Sequence, residues 1–469
     1  MSKKLLNKTI SRRHLLKGLG YGAGAVALAA CAAPAAPAAP AAPAATEAPA
    51  APAAATEAPV AAPSGDGAVK LTYWGFSGGN LEKREKELID KFNTMQSEVF
   101  VDDQVQGNYE ETANKLTAAL AANSAPDFSL LSDVWWFKFM RAKALLPLND
   151  LIAGEKGIDP ADFVPSLWNE GVRKDVQYWI PFARSTPLFY YNKDMLKEIG
   201  VEKAPETWQE IVEIAPKLTK KEGDAVKVSA FAHPDGQSYI AWLFQCVAWQ
   251  HGGGYSDASL EKFLLTEPDT IRAGQFYADS VNKGQWAVMS KAVDNDFKAG
   301  LTAMALMSTG SLGGVLADAK FEVGTAFLPM EKQFGCCTGG SGLAIPATTA
   351  NDKAQAVMKY IAYATGNDGG AFWAQNSGYM PVRLSTAQTE SYKAFFAEKP
   401  QFQTAVEQLP KTKAQDAARV FIPGGDIIIG KGLERILVGK EDVATVFAEV
   451  QATLEKEGEP VKKDIAALG

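Results

Sequence analysis

Val69-Lys70-Leu71-Thr72-Tyr73-Trp74-Gly75-Phe76-Ser77-Gly78-Gly79-Asn80-Leu81 decides the fold class of this chain. The first six residues alternate apolar and polar, as a strand with one face in a core does. Gly75 to Gly79 is a turn rich in Gly and Ser. Asn80 is placed as a helix N-cap, and Leu81, Leu88, Ile89 and Phe92 then recur at helical spacing. The order repeats. Val99-Phe100-Val101 is a short strand, Tyr109, Ala113, Leu116, Ala119 and Leu120 mark a helix, and Asp127 to Leu131 is a third strand, with Asp133 starting another helix. A β-α-β-α-β order implies a parallel sheet with helices on both faces. Ligands of such sheets collect at the carboxyl ends of the strands, where Trp74, Tyr109 and Asp133 stand.

A second β-α series begins near Pro187. Leu188 to Tyr191 reads as a strand and Asp194 to Ile199 as a helix. Pro205, Thr207 and Trp208 open the next helix, with Thr207 as its cap. Residues 301–306 and 323–328 read as strands, and 351–366, 369–375 and 442–455 as helices. No internal repeat is visible. Residues 67–469 make about 400 residues, too many for one core and typical of two lobes. Trp179-Ile180-Pro181-Phe182 and the segment around Gly324 are natural places for the chain to cross between them.

The first 66 residues set the compartment. Ser11-Arg12-Arg13-His14-Leu15-Leu16-Lys17 is a basic head, followed by small apolar residues from Gly18 to Ala30. That run is long enough for a signal h-region and too short for a membrane span. Leu28-Ala29-Ala30-Cys31 has the pattern of a lipoprotein cleavage site, with Cys31 as the lipidated residue. The arginine pair reads as a twin-arginine export signal or as an ordinary positive n-region. After Cys31 an Ala/Pro tract cannot bury a core and stays extended. Residues 1–30 are thus expected to be a signal peptide and 31–66 a linker. The whole describes a domain tethered by lipid to the outer face of the cytoplasmic membrane.

Composition excludes several classes. The net charge is −7 and the mature chain has no basic block, which argues against nucleic acid as a partner. Beyond Cys31 the cysteines are Cys246, Cys336 and Cys337, an odd count without framework spacing. Cys336 and Cys337 are either free buried thiols or a strained vicinal disulfide. Of three histidines, His14 leaves with the signal, and His233 and His251 read as surface or loop residues far from any partner at metal-ligand spacing. No Gly-x-Ser-x-Gly elbow and no phosphate loop is present. No cofactor and no metal is expected. A carboxylate glycoside hydrolase stays open, because 54 acidic residues always supply candidate pairs. So does a non-transport surface lipoprotein.

Several elements together resemble extracellular solute-binding proteins of ABC importers. They are Ile180-Pro181-Phe182 with Ser185-Thr186-Pro187-Leu188-Phe189-Tyr190-Tyr191-Asn192-Lys193-Asp194, then Pro205-Glu206-Thr207-Trp208, Gly339-Gly340-Ser341-Gly342-Leu343-Ala344-Ile345, and Phe372-Trp373 through Asn376-Ser377-Gly378-Tyr379-Met380-Pro381. The resemblance covers about 68 to 455. It implies an α/β, two-lobe, periplasmic-binding-protein-like fold of the Venus-flytrap kind, each lobe a doubly wound sheet with flanking helices and the ligand cleft between them. The first lobe is assigned to 67–183 and 325–372, the second to 184–324 and 373–469. It further implies a monomer that delivers a small solute to ABC permease subunits and performs no catalysis.

Within the family, the residues look most like glycerol-3-phosphate-binding members. That resemblance implies Tyr109 against the polyol, Asp133 accepting from hydroxyls, Ser185 at the hinge, Trp208 as the cleft tryptophan and Ser308 as a donor. Gly340, Tyr379 and Arg419 would hold the phosphate. Asp133 is shorter than the family's glutamate, Trp135 and Trp136 follow it, and Arg184 precedes Ser185. Trp74, Trp135 and Arg184 are secondary candidates. The expected ligand is glycerol-3-phosphate or a glycerophosphodiester, and a sugar or oligosaccharide is the alternative. The chemistry is sensible without the family. Arg419 offers a bidentate fork, serine and a glycine amide offer neutral donors, and flat aromatic faces suit the C–H side of a polyol.

Overall fold

The computed structural model describes residues 67–237 and 239–468. The readings of the export signal, Cys31 and the Ala/Pro linker lie outside the described residues. The principal strands are β1 (Val69–Trp74), β2 (Val99–Asp103), β3 (Phe128–Ser132), β4 (Ile180–Ser185), β5 (Pro187–Asn192), β6 (Ala225–Pro234), β7 (Ala287–Ser290), β8 (Thr302–Ser308), β9 (Val323–Ala326) and β10 (Gly339–Ala344). The long helices are α1 (Gly79–Met95), α2 (Tyr109–Ala121), α3 (Trp208–Leu218), α4 (Ile240–His251), α5 (Pro268–Asn282), α6 (Asn351–Thr365), α7 (Gly369–Ser377), α8 (Gly425–Leu437) and α9 (Val443–Leu468).

The strands form two sheets, one per lobe. The first runs β2-β1-β3-β10-β4 and the second β7-β6-β8-β5-β9, with the short strand Lys220–Glu222 against β6. Strands joined through helices are parallel, as expected: β1 with β2 and β3, and β6 with β7 and β8. Strands entering from the other lobe are not. β10 is antiparallel to β3 and β4, and β5 is antiparallel to β8 and β9. Such a strand has no helical crossover within its own sheet, so the handedness rule for parallel units does not set its direction.

Local chemistry explains the helices. Asn108 and Glu111 form a capping box at the start of α2, and Thr207 and Glu210 form one at the start of α3. In α3 the buried Trp208, Ile211, Ala215 and Leu218 make one continuous stripe. α4 is buried on every side and packs against α5 and α8. Asn80 is not the cap of α1. The helix begins at Gly79 behind Gly78, whose φ of 83° favours glycine. The Asn80 amide instead donates to the Asn376 carbonyl at 3.1 Å, tying α1 to the end of α7.

The chain crosses between sheets at Thr186, between β9 and β10, and again after α7. Three boundaries therefore move. Residues 184–185 belong to β4, paired with β10 of the first sheet. Residues 325–326 belong to β9, paired with β5 of the second sheet. Residues 373–377 belong to α7, which packs on α1 and α6 with the first lobe. His233 and His251 are also not surface residues. His233 lies inside β6 with Nε2 3.1 Å from Ser280 Oγ, and burial pulls its pKa down to about 3. His251 ends α4 with Nδ1 2.9 Å from the Val247 carbonyl.

Under the turn after β1 lies a pair of acids, Glu85 fully buried and Asp103 half-buried. Glu85 accepts from Tyr73 Oη at 2.7 Å and from the Phe76 amide at 2.6 Å. Asp103 lies beside it, with Oδ1 buried and unpartnered among the described residues. Burial raises both carboxyls, and the negative charge of Asp103 raises Glu85 further, while Glu82 and Asp102 act upward on Asp103 and Lys86 acts downward. A raised native pKa means the folded chain holds protons that the unfolded chain releases. The stabilisation is full below the unfolded value of roughly 4 and is lost as pH rises through the native values. The melting temperature should therefore fall from pH 5 to pH 8, and Asp103→Asn should flatten that fall by easing the like-charge repulsion on Glu85. Thermal melts with the same slope in both proteins would contradict a titrating pair.

Candidate functional site

A cavity of about 730 Å³ lies between the two sheets, a size suited to a small molecule. The first lobe contributes Tyr109 at the start of α2, Asp133 and Trp135 after β3, Ser185 at the end of β4, and Gly340 in β10. The second contributes Ser308 at the end of β8 and Arg419 from the short helix Ala417–Val420. Tyr379, after α7, completes it. These are the carboxyl ends of strands and the lobe crossings, where the β-α order put the ligand.

Gly340 shows why β10 is glycine-rich. Its φ is +99°, and a Cβ there would sit 2.1 Å from the Ala183 carbonyl oxygen. No side chain fits, so backbone can line the cavity. The Gly340 carbonyl accepts the Asp133 amide at 3.0 Å, which fixes Asp133 at the cleft floor. The Asp133 carboxylate takes the Gln415 amide at 2.6 Å and lies 3.7 Å from Arg419 Nη1. Arg419 is 5% exposed. Its Nε donates to Asp426 at 2.5 Å and its Nη1 to Gln415 Oε1. Nη2 has no protein partner among the described residues. Burial works against the Arg419 charge, but the carboxylates of Asp426 and Asp133 outweigh it and hold its pKa above the ordinary arginine value.

Across from Arg419, Tyr109 Oη donates to Ser341 Oγ at 3.1 Å, and burial pushes its phenol up to about 12. Tyr379 stacks on Trp373 at 5.7 Å, and burial raises its phenol well above the usual value. Both phenols are therefore neutral donors at physiological pH. Ser308 Oγ accepts the Gly310 amide at 3.1 Å, which orients the hydroxyl at the cavity edge.

Three candidates lie elsewhere. Trp208 is 1% exposed and sits in the second lobe's core, packed on Phe231 and Phe276, with its indole N–H given to Gln250 at 2.7 Å. Trp74 is buried in the core beside β3 and does not line the cavity. Arg184 is fully buried behind Ser185, paired with Glu170 and stacked 4.9 Å from Trp179. Trp135 does line the cavity, whereas Trp136 is buried against Trp179. Trp242 of α4 also lines the cavity, and its N–H donates to the Thr338 carbonyl at 2.9 Å. Sequence reasoning also missed Tyr239, Asp426 and Ser132. Ser132 Oγ is buried and unpartnered among the described residues. No motif marked these positions. Only their being brought to one cavity by distant elements makes them candidates.

The family described as "Bacterial extracellular solute-binding protein" matches residues 87–404. The crystal structure of UgpB from Mycobacterium tuberculosis in complex with glycerophosphocholine is 37% identical, with a TM-score of 0.78, covering 84% of this chain and 99% of that one. The sn-glycerol-3-phosphate-binding periplasmic protein UgpB of Escherichia coli (strain K12) is 25% identical over 395 residues, 79% of this chain and 88% of that protein. An ABC transporter solute-binding protein from Thermotoga lettingae bound with α-D-tagatose shares the fold at 22% identity, with a TM-score of 0.72 and coverage of 83% and 100%. Two sheets joined by three crossings around a cleft, matched over most of its length by these proteins, show that the chain belongs to the bacterial extracellular solute-binding proteins.

Proposed function

We propose that this chain captures a glycerophosphodiester, with glycerol-3-phosphate as the smaller ligand of the same class, and delivers it to an ABC permease. One observation carries the reading. A guanidinium with an unpartnered Nη2 and a carboxylate share a cleft at 3.7 Å, beside two neutral phenols, a serine hydroxyl and glycine backbone. Arg419, the Gly340 backbone, Ser308 and Tyr379 take the phosphate. Asp133 takes the glycerol hydroxyls, Tyr109 and Trp242 flank the carbon chain, and Ser185 sits at the hinge. The names of the UgpB relatives, which bind this class of ligand, support the assignment.

The mechanism is binding and closure. The ligand meets one lobe, the other swings over it about the three crossings, and water leaves. No bond in the ligand changes. No helix among the described residues is long and apolar enough to cross a membrane. In this reading the domain is held to the membrane by the lipid on Cys31 and searches from its Ala/Pro tether. Trp135 and Trp242 in the cleft favour a sugar as the second reading, since flat indole faces suit a pyranose.

The test is a thermal-shift and scattering series. Glycerophosphocholine and glycerol-3-phosphate are expected to raise the melting temperature and to lower the radius of gyration, because residues of both lobes touch one small ligand only when the cleft closes. A shift with maltose and none with either phosphate would replace the ligand and keep the transport role. No shift and no compaction with any of them would overturn the function.

A further inference from the structure

Three thiols meet between α4 and the crossing that leads into β10. Cys246 Sγ lies 3.5 Å from Cys337 Sγ, although the residues are 91 apart in sequence. Both sulfurs face one acceptor, the Trp242 carbonyl, each at 3.8 Å. Cys336 Sγ turns to its neighbour's carbonyl at 3.5 Å. All three are free and buried. We propose that Cys246 and Cys337 are a disulfide cross-linking site: they join when the chain folds in contact with a small-molecule or protein disulfide, and Cys336 stays a free thiol.

Geometry selects this pair over the adjacent one. A disulfide needs its sulfurs about 2.05 Å apart with the Cβ–S–S–Cβ dihedral near a right angle. Cys246 and Cys337 stand on separate elements with their sulfurs already 3.5 Å apart, so no shared peptide has to distort for them to bridge. Cys336 and Cys337 share a peptide, and closing a bridge across it requires that peptide to distort. The lobe crossing supplies the rest. The Lys413 amide holds the Cys336 carbonyl at 2.9 Å, and the Trp242 indole holds the Thr338 carbonyl at 2.9 Å. The backbone on both sides of Cys337 is thus clamped with its sulfur toward α4.

The chemistry balances by two exchanges. The Cys246 thiolate attacks one sulfur of the oxidant, forming a mixed disulfide and releasing one thiol. The Cys337 thiolate then attacks Cys246 Sγ and releases the second thiol. The protein loses two electrons and two protons, and the oxidant's disulfide takes up both as two thiols. Burial raises all three cysteine pKa values in the folded chain, so the exchange belongs to folding, before the core closes. The bond closes a long loop and ties α4, which carries the cleft residue Trp242, to the strand that carries Gly340.

Refolding the reduced, unfolded chain in mixed reduced and oxidised glutathione tests the proposal. After alkylation, digestion and mass spectrometry, a peptide containing Cys246 should be linked to the one containing Cys336 and Cys337. Cys336→Ser should keep the link and Cys337→Ser should lose it. The linked protein should melt a few degrees above its reduced form. Circular dichroism establishes that each chain has refolded. Alkylation of Cys246, Cys336 and Cys337 together in refolded wild type, a link within the Cys336–Cys337 pair, or a link that survives Cys337→Ser would each overturn the assignment.

Discussion

Arg419→Ala is expected to weaken glycerophosphodiester binding by roughly 30- to 1000-fold, about 2–4 kcal/mol. Among the charged side chains lining the cavity, Arg419 is the cation nearest the Asp133 carboxylate and the one held rigidly on two sides. Asp426 fixes its Nε and Gln415 its Nη1, so the remaining edge meets a phosphate without further ordering cost. Lys291 and Lys298 also line the cavity, but Lys291 is exposed and Lys298 pairs with Asp318 at 3.0 Å. The substitution also leaves Asp426 and Asp133 buried without their cation, so stability should drop by about 3–5 kcal/mol. Binding is therefore measured well below the lowered melting point. Arg419→Lys should restore part of the stability but little of the affinity, because an ammonium cannot replace the fork. A neutral sugar, if it binds at all, should lose far less. Calorimetry with equal phosphodiester affinity in wild type and Arg419→Ala would leave Arg419 a structural ion pair and move the phosphate elsewhere.

The legible part of this protein is the part governed by local periodicity. β1 to α2 follow from alternation and helical spacing in one short window, and Thr207 followed by Glu210 announces a capping box without any tertiary knowledge. What failed depends on contacts made across long sequence distances. β10 has almost no hydrophobic pattern. Its glycines exist because Trp179, Trp242 and the β4 backbone crowd it, and nothing near residue 340 reports that. Its antiparallel sense follows from the lobe crossing, which no local window contains. His233 looked polar in sequence, yet β6 runs through the middle of the second sheet, where even a histidine is desolvated. The site divides in the same way. That Asp133 and Tyr109 border the cavity follows from their position after strands, while Gln415, Asp426 and Trp242 reach it only because folding brings distant segments together.

Trp208→Ala is expected to lower stability by about 3–5 kcal/mol, with ligand affinity changed no more than about twofold at temperatures where the protein is folded. The resemblance to glycerol-3-phosphate-binding proteins placed this indole in the cleft. The structure places it in the wall of the second lobe, edge-on to Phe231 at 5.6 Å and to Phe276 at 5.3 Å. Its removal empties a large volume among side chains that are themselves rigid, so relaxation recovers little. It also strips the Gln250 carbonyl oxygen of its donor, and an orphaned buried acceptor carries its own desolvation penalty. Trp208→Phe separates the two costs, since phenylalanine refills part of the volume and leaves Gln250 unpaired. Gln250 also donates to the Gly335 carbonyl at 2.9 Å, just before the crossing into β10. That link is the route by which a core change could reach the ligand, and it sets the direction of any small affinity loss. The ratio of the two effects decides between the placements. A core tryptophan costs stability first, whereas a cleft tryptophan would cost affinity while the melting temperature barely moved. Urea unfolding and calorimetry on the same protein give both numbers, and an affinity loss larger than the stability loss would return Trp208 to the ligand.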